Sequence, residues 1–432
     1  MLKDQFPQLT GDEVYADWTG AALAPVSLID AWHQHLRTNL LGNPHSTHRP
    51  SMRAMHEINL ARETVLRFFN ASPDKYEVIF TPNATGAIRI LEHYLFNGGE
   101  LLLTAVNHNS VNGLRETARR GGAIVRYAPI NGDLSLNEEA LGRMLAHPRS
   151  TGNRLFAMPA KSNYCGTVYN LDWVRRARQH GCDVLLDAAA YNANDRLDLS
   201  RVEPDFVPVS FYKMFGFPTG VGCLIIHKEA FRRLHKKWFT GGSILLVSVA
   251  KDFFVPEPLN YARFEDGTIN FAQIPAIING LNFLERLGGT KSHAVALATS
   301  LYDQLVTMRA GRGSIVIHSP RGNDTVTFSV KRDAQIVDAW HFENAASEVG
   351  VYVRTGCFCN PGANETTFNY PVEAFEALYE SAIKPEDITL DEFRKYSGNA
   401  PIGAIRSSFG YANTPANIDR FVKVTRSFLQ KL

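Results

Sequence analysis

Short apolar stretches alternate with helical patterns between about Tyr76 and His227, and this alternation limits the possible folds more than any other feature of the chain. Such alternation is typical of a largely parallel sheet that helices cover on both faces. Seven stretches are predicted strands: Tyr76–Phe80, Glu100–Val106, Ala123–Ala128, Arg154–Ala160, Asp183–Ala188, Phe206–Phe211 and Gly220–His227. The helical patterns in and before this region are Ser51–Asn70, Glu138–Ala146 and Leu171–His180. We therefore predict an α/β fold with a mostly parallel seven-stranded sheet.

The pattern changes after Gly267, where helices and strands follow one another in mixed order. The predicted helices are Ile274–Leu287, Lys291–Ala310, Ile336–Val349 and Ala416–Leu432, and the predicted strands are Ile315–His318, Thr325–Val330 and Ala404–Phe409. We interpret this region as a smaller α+β domain that the N-terminal residues complete. The predicted division is a large domain at residues 20–285 and a small domain made of residues 1–19 and 286–432.

Charge and cysteine content exclude several classes of protein. The 432 residues carry a formal net charge of +2 without a basic block, which argues against nucleic acid or a membrane surface as partner. Met1 to Leu9 lack the features of a signal peptide, and no apolar run approaches the ~20 residues that span a bilayer. The five cysteines are an odd number, which argues against a disulfide framework. We expect a cytoplasmic protein.

Two predicted strands lead into charged residues that could act in the same site. Lys213 follows the stretch Phe206–Phe211, and Asp187 ends the stretch that begins at Asp183. A buried lysine is costly unless its charge is removed or used, and an aldehyde cofactor removes it by forming an imine. Ligands of open α/β sheets bind at the carboxyl ends of strands, where the two side chains would meet. The pair therefore predicts a site for pyridoxal phosphate (PLP), with Asp187 at the pyridine nitrogen. We prefer this interpretation to the alternative, in which the two residues are an ordinary exposed lysine and a turn aspartate.

Other positions supply the remaining parts of a PLP site, although each is weak when taken alone. The turn Asn83–Ala87, with the Ala84 amide and the Thr85 hydroxyl, would bind the phosphate at a helix N-terminus. His108 would stack on the cofactor and Asn163 would contact its phenolic oxygen. Arg406 offers a two-pronged donor for a substrate carboxylate. Without the others, these residues would be an ordinary N-cap, an exposed histidine, a turn asparagine and a surface ion-pair partner.

Cys357 and Cys359 lie in a loop between Arg354 and Gly362 that contains glycine and proline. Their C-x-C spacing alone does not make a zinc site, since no second cysteine or histidine cluster completes a ligand set. We predict no metal. A thiol near Arg354 would have a lowered pKa and act as a nucleophile; the alternative is a structural thiol.

The sequence resembles the fold-type I PLP enzymes of the class V aminotransferase family. It is most similar to the cysteine desulfurase branch and, within it, to the N-terminal domain of molybdenum cofactor sulfurases. The resemblance rests on ordered runs spread over nearly the whole chain: Gly42–Ser46, Val78–Thr81, His108–Val111, Ser162–Gly166, Leu185–Ala189, Ser210–Gly220, Asp266–Thr268, Arg354–Gly362 and Arg406–Tyr411. Ser210-Phe211-Tyr212-Lys213 and Arg354-Thr355-Gly356-Cys357-Phe358-Cys359 are the most specific of these.

The resemblance implies a role for each candidate residue. Lys213 would be the imine lysine and proton shuttle, and Asp187, His108 and Asn163 would contact the cofactor ring. The phosphate would be held by Ala84, Thr85, Ser210 and Tyr212, and by Thr268 from the other subunit of a homodimer. Cys359 would accept sulfur as a persulfide beside Cys357, and the substrate would be bound by Arg406, Arg354 and His45. The chain departs from the family at Asn364, where a cysteine is common, and at Ala190, where many desulfurases have glutamine or histidine.

Three functions remain open at this point. The first is cleavage of the C–S bond of L-cysteine, or of a cysteine S-conjugate, with transfer of sulfur to Cys359. The second is a stand-alone C–S lyase, or a decarboxylating or deaminating enzyme, acting on an S-conjugated cysteine in specialised metabolism. The third is a sulfur carrier or scaffold without catalysis, which the well-filled set of catalytic positions disfavours.

Overall fold

A computed structural model of the protein describes residues 2–381 and 383–432. Its largest sheet has seven strands. From one edge to the other these are Tyr76–Thr81, Gly222–His227, Phe206–Ser210, Cys182–Asp187, Arg154–Pro159, Glu100–Thr104 and Ile124–Ala128. Only Gly222–His227 runs antiparallel to its neighbours in this sheet. The predicted mostly parallel seven-stranded sheet is confirmed, with strand ends shifted by at most two residues.

Apolar side chains cover both faces of the large sheet, because successive residues of a strand point to opposite faces. In the interior strand Arg154–Pro159, Phe156 and Met158 pack into one apolar cluster, whereas Leu155 and Ala157 pack into the other. Each cluster also contains helical residues, so helices lie against both faces. This burial on two faces explains why the strands read as continuous apolar runs in the sequence.

Helices lie between the strands of the large sheet along the chain or flank them. They span Val26–Thr38, Arg49–Phe68, Ala84–Arg89, Asn109–Asn112, Leu114–Arg120, Glu138–Ala146, Asp172–Gln179, Tyr212–Phe215 and Ala276–Leu287. A separate two-stranded hairpin is formed by Ile244–Ser248 and Phe253–Pro256. None of the helices within the described ranges is long and apolar enough to cross a membrane.

A second, antiparallel sheet organises the C-terminal part of the chain. Its strand order is Arg309–Ala310, Gly313–Ile317, Thr325–Arg332, Ala404–Ser408 and Arg354–Gly356, with Gln335–Val337 paired to Thr325–Arg332. The helices around it are Lys291–Leu305, Ala339–Ser347, Pro361–Phe368, Val372–Tyr379, Leu390–Tyr396 and Pro415–Gln430. The N-terminal strand Val14–Tyr15 pairs with Val351–Tyr352, and Asp17 bridges to Ser408. The domain limits at residues 19 and 285 remain a prediction.

Two predicted helices of this region are shorter than the sequence pattern indicated. The helix predicted to run to Ala310 ends at Leu305, because the chain then reverses at Gly311, which has a φ of +59°, and pairs Ala310 with Gly313. The helix predicted from Ile336 begins at Ala339, since Ile336 pairs with Lys331 in the sheet. Sheet pairing, which sequence periodicity does not register, overrides the helical pattern in both places.

Candidate active site

A cavity of about 170 Å³ opens at the carboxyl ends of the central strands of the large sheet. It is lined by eight of the nine residues predicted to bind the cofactor: Ala84, Thr85, His108, Asn163, Asp187, Ser210, Tyr212 and Lys213. These side chains follow five different strands, and the parallel sheet brings them to one edge. The fold therefore assembles in one place groups that are far apart in the sequence.

Lys213 and Asp187 supply the amine and the carboxylate of this cavity. Lys213 lies in the single helical turn Tyr212–Phe215, and its side-chain amine makes no hydrogen bond to any of the described residues. Burial lowers the pKa of the Lys213 ammonium, and the nearby Asp187 carboxylate opposes this shift. Asp187 Oδ1 accepts a hydrogen bond from the Ala189 amide at 3.0 Å, whereas Oδ2 has no hydrogen bond within the part of the chain that the structure describes. An amine and a carboxylate oxygen thus face the cavity ready for new partners.

His108 presents a neutral imidazole to the same cavity. It caps the short helix Asn109–Asn112, and its Nδ1 accepts a hydrogen bond from the Ser110 amide at 3.1 Å. This acceptor role places the ring proton on Nε2. Burial lowers the pKa of His108, against the opposing effect of the Asp187 carboxylate. A neutral, half-buried ring of this kind is suited to stacking on a flat ligand.

The turn after the first strand of the large sheet supplies amides and hydroxyls. Asn83 caps the helix Ala84–Arg89 by accepting a hydrogen bond from the Gly86 amide at 2.9 Å. The Ala84 amide donates to Ser210 Oγ at 2.9 Å, and the Thr85 and Ser110 hydroxyls lie 2.8 Å apart. A Cβ added at Gly222 would lie 2.6 Å from the Asn83 Cα atom, so glycine is needed for the turn to pack on the sheet. The turn thus brings together the amide and hydroxyl groups that are predicted to bind a phosphate.

Asn163 joins the cavity wall to the loop that carries the cysteines. Its Nδ2 donates to the Phe358 carbonyl at 2.6 Å, and its Oδ1 accepts from Asn360 Nδ2 at 2.9 Å. Sequence reasoning assigned this side chain only to the phenolic oxygen of the cofactor. One of its two amide hydrogens is used by the loop, which leaves the other for that predicted contact. The role in holding the loop was missed, because it depends on a contact over 195 positions of sequence.

The cysteine loop has an unusual backbone and a fixed position. Phe358 and Cys359 have φ values of 54° and 56°, a left-handed conformation that costs free energy in residues other than glycine. The Asn109 amide donates to the Cys359 carbonyl at 2.7 Å, which places this residue beside the loop of His108. Cys359 is exposed and Cys357 is half-buried. The surrounding hydrogen bonds hold the loop so that the Cys359 side chain remains accessible.

Arg406 and Arg354 lie in adjacent strands of the small sheet, and both contact Asp17. Arg406 Nη2 donates to Asp17 Oδ1 at 2.7 Å, and Arg354 donates to Asp17 Oδ2 from Nε at 2.8 Å and from Nη2 at 2.7 Å. Arg406 Nη1 also donates to the Asn163 carbonyl at 2.8 Å, and the Arg406 guanidinium lies 4.7 Å from the centre of the Phe358 ring. Sequence reasoning did not identify Asp17, whose position two residues after a short N-terminal strand was its only signal.

Thr268 and His45 lie outside the Lys213 cavity of the single chain. Asn43 connects them, because its Nδ2 donates to Thr268 Oγ1 at 3.2 Å and its Oδ1 accepts from the His45 amide at 3.1 Å. Thr268 lines a larger cavity of about 580 Å³, to which Gly86 and Arg89 of the helix Ala84–Arg89 also contribute. The larger cavity contains none of the predicted ring-binding residues, all of which line the smaller one. The contacts predicted for Thr268 across a dimer and for His45 with substrate remain predictions.

A buried ion pair completes the wall of the cavity. Lys161 Nζ lies 2.6 Å from Asp324 Oδ2, and both side chains are almost fully buried. Sequence reasoning also missed this second lysine, which links the large domain to the small sheet. Among the residues with described positions, no group of three histidine, cysteine, aspartate or glutamate side chains is arranged to hold a metal ion.

Comparison with known proteins identifies the family. The model of the family "Aminotransferase class-V" matches residues 14–421. The molybdenum cofactor sulfurase of Danio rerio is 32% identical over 100% of this chain and 55% of its own length. The molybdenum cofactor sulfurase of Homo sapiens is 31% identical over 97% of this chain and 50% of its own length. The chain thus spans about half the length of the curated relatives it matches.

Solved structures show the same fold. A cysteine desulfurase from Thermococcus onnurineus NA1 superimposes with a TM-score of 0.79 at 20% identity, covering 98% of this chain and 96% of that chain. A cysteine desulfurase from Escherichia coli gives a TM-score of 0.78 at 22% identity, covering 100% of this chain and 98% of that chain. Members of the matched family use PLP. Because the family model matches nearly the whole chain, this chain belongs to the class-V aminotransferase family.

Proposed function

We propose that this protein is a PLP-dependent enzyme that cleaves the C–S bond of L-cysteine or of a cysteine S-conjugate, in the manner of a cysteine desulfurase. One observation carries the proposal. The cavity that contains the Lys213 amine and the Asp187 carboxylate is hydrogen-bonded, through Asn163, to the loop of the exposed Cys359. Cofactor chemistry and a protein thiol are therefore brought to the same site.

The residues around the cavity fit PLP. Asp187 Oδ2 is free to accept a hydrogen bond from a protonated pyridine nitrogen, and the Lys213 amine is free to bond to an aldehyde. The neutral His108 ring would lie against the cofactor ring. The Ala84–Thr85 turn, Ser210 and Tyr212 would hold the phosphate with amide and hydroxyl groups. PLP, when bound, supplies an electron sink for a substrate carbanion.

Residues of the chain would perform proton transfer, carboxylate binding and sulfur transfer. Burial favours the neutral amine of Lys213, which suits it to accept a proton from the substrate α-carbon and to return it later. Arg406 would bind the substrate carboxylate. In the sulfur-transfer step, the Cys359 thiolate would attack the substrate sulfur. An S–S bond forms as the C–S bond breaks, the electron pair of that bond stays with carbon, and protonation of this carbon gives alanine and a persulfide on Cys359.

Product analysis tests this proposal. The purified protein with PLP is given L-cysteine and a reductant, and alanine, pyruvate and sulfide are measured together. We expect alanine and sulfide in equal amounts, with alanine formation abolished in Cys359→Ala and retained in the matched variant Cys357→Ala. Pyruvate and sulfide formed by both variants would instead identify a C–S lyase. An unchanged biological output of Lys213→Ala would identify a sulfur carrier or scaffold.

The proposed assembly is a homodimer in which Thr268 contacts the phosphate of the partner's site. Trp238, which lines the larger cavity and is 68% exposed in the single chain, supports a contact surface there. The cytoplasmic location predicted from the sequence is part of the same proposal.

A further inference from the structure

Two arginines that are predicted to bind the substrate are directly opposite each other across paired strands. In the antiparallel pair formed by Arg354–Gly356 and Ala404–Ser408, Arg354 is the register partner of Arg406. Like charges directly opposite on neighbouring strands repel each other and destabilise the pair. Arg406 is only 2% exposed, so water does little to screen its charge. This arrangement needs an anion.

Asp17 supplies that anion from the other end of the chain. Its Oδ1 contacts Arg406 at 2.7 Å and its Oδ2 contacts Arg354 at 2.7 Å, so one carboxylate is shared between two guanidinium groups. Gly20 allows this close approach, because an added Cβ there would clash with Asp17 and would lie 2.8 Å from Arg354 Nη2. Asp17 is itself buried, and its position is fixed by both arginines.

The three residues together leave one positive charge. Two guanidinium cations and one carboxylate give a net charge of +1. The neighbouring phenols of Tyr15 and Tyr212 do not change this count, since burial raises the pKa of Tyr15 to about 12 and also raises that of Tyr212. Arg406 Nε is buried without a hydrogen-bond partner among the described residues. Asp17, Arg354 and Arg406 together thus have the positive charge and the free hydrogen-bond donor that would bind one carboxylate.

We propose that Asp17 is a specificity-determining residue, which restricts this subsite to substrates with a single carboxylate by neutralising one of the two arginines. The inference rests on the proposed function, because it assumes that an amino acid binds beside Lys213. A second carboxylate near Arg354 would find that cation already paired with Asp17 and would be repelled by the Asp17 carboxylate. The accepted substrates are therefore cysteine-like monocarboxylic amino acids.

Ligands without sulfur test the inference independently of C–S cleavage. L-Alanine and L-aspartate are titrated into the PLP-loaded protein, and their Kd values are read from the visible absorption of the bound cofactor. In the native protein we expect L-alanine to bind more tightly than L-aspartate by about tenfold or more, the equivalent of ~1.4 kcal/mol. Asp17→Asn frees Arg354 and should shift the ratio of the two Kd values toward L-aspartate by about tenfold or more.

Two further variants separate the effect of net charge on binding from an effect on the stability of the fold. Arg354→Gln changes a half-exposed residue and brings the group to neutrality, so L-alanine should bind about tenfold more weakly with little change in melting temperature. Asp17→Asn/Arg354→Gln restores the net charge of +1 and should recover the preference for L-alanine. An unchanged Kd ratio in Asp17→Asn, or a double variant no more selective than Asp17→Asn, would overturn the inference. A native protein that binds no PLP would instead overturn the proposed function.

Discussion

Asn163 and Phe358 are joined by a hydrogen bond of 2.6 Å from the side-chain amide of the first to the carbonyl of the second. The bond connects the wall of the Lys213 cavity with the left-handed segment that presents Cys359. Left-handed residues other than glycine persist only where surrounding contacts hold them. The position of the thiol therefore depends on Asn163 and its second partner, Asn360.

Removing this anchor should loosen the cysteine loop. In Asn163→Ala the loop loses two hydrogen bonds, each worth on the order of 1 kcal/mol. We therefore expect the half-buried Cys357 to be alkylated about thirtyfold faster, since about 1.4 kcal/mol corresponds to a factor of ten. Mass spectrometry of each cysteine peptide after a maleimide pulse measures this rate. Asn170→Ala, which changes an exposed turn asparagine, is the control. Equal Cys357 alkylation in the native protein and in Asn163→Ala would contradict the anchoring role.

Lys213→Ala should abolish both covalent cofactor binding and turnover. The loss of the proton-transferring amine alone should reduce the rate by at least about 100-fold, the lower end of the contribution of general acid–base catalysis. Visible absorption after dialysis against PLP, together with alanine formation from L-cysteine, measures the two effects. The exposed Lys237 provides the matched control as Lys237→Ala. If Lys213→Ala kept the native absorption band, another lysine would hold the cofactor.

The lowered pKa of Lys213 predicts a dependence of stability on pH. Because the pKa of the folded state lies below the ordinary value of 10.5, the unfolded chain binds more protons in the interval between the two values. The apoprotein is therefore destabilised by Lys213 below its folded pKa, and this penalty disappears as the pH rises to 10.5. Apo Lys213→Met should be more stable than apo native protein at neutral pH, with a difference that shrinks on going to pH 10.5. A constant or growing difference in urea unfolding would contradict the shift.

The ion pair of Lys161 and Asp324 should matter for stability far more than a surface pair. Lys161→Met would leave the buried Asp324 carboxylate without its cation, at a cost of about 3–5 kcal/mol. Lys75 and Glu203 form a matched pair at 2.5 Å whose side chains are 51% and 43% exposed, and Lys75→Met should cost about 0–1 kcal/mol. Urea unfolding of both variants compares the two costs. Equal costs would mean that the pair does not stabilise the cavity wall.

Thr268→Ala should weaken the retention of PLP if the proposed dimer forms. A hydrogen bond to a phosphate is worth about 1.5–3 kcal/mol, so the Kd for PLP should rise by about tenfold or more. Equilibrium dialysis measures this Kd, and light scattering gives the molecular mass. A monomeric mass with full cofactor occupancy and native activity would refute the dimer.

Much of the fold and part of the site could be predicted from the sequence, for a physical reason. Asp187 ends one strand and Lys213 follows shortly after its neighbour, in a sheet whose apolar runs are long enough to recognise, and parallel strands bring their carboxyl ends together. Asp17 could not be found in this way, since it meets Arg406 across 389 positions of sequence. Lys161 and the second role of Asn163 likewise depend on the packing of the small sheet and the cysteine loop against the large domain.

The most direct test of the central claim is mass spectrometry of the Cys359 peptide after a single turnover of the PLP-loaded protein with L-cysteine, without reductant. We expect this peptide to gain the mass of one sulfur atom, in step with alanine formation, and to lose it when a reductant is added. Cys357 in the same peptide is distinguished from Cys359 by fragmentation, and Cys359→Ala should show no gain. Turnover of L-cysteine with an unmodified Cys359 would contradict sulfur transfer to this residue.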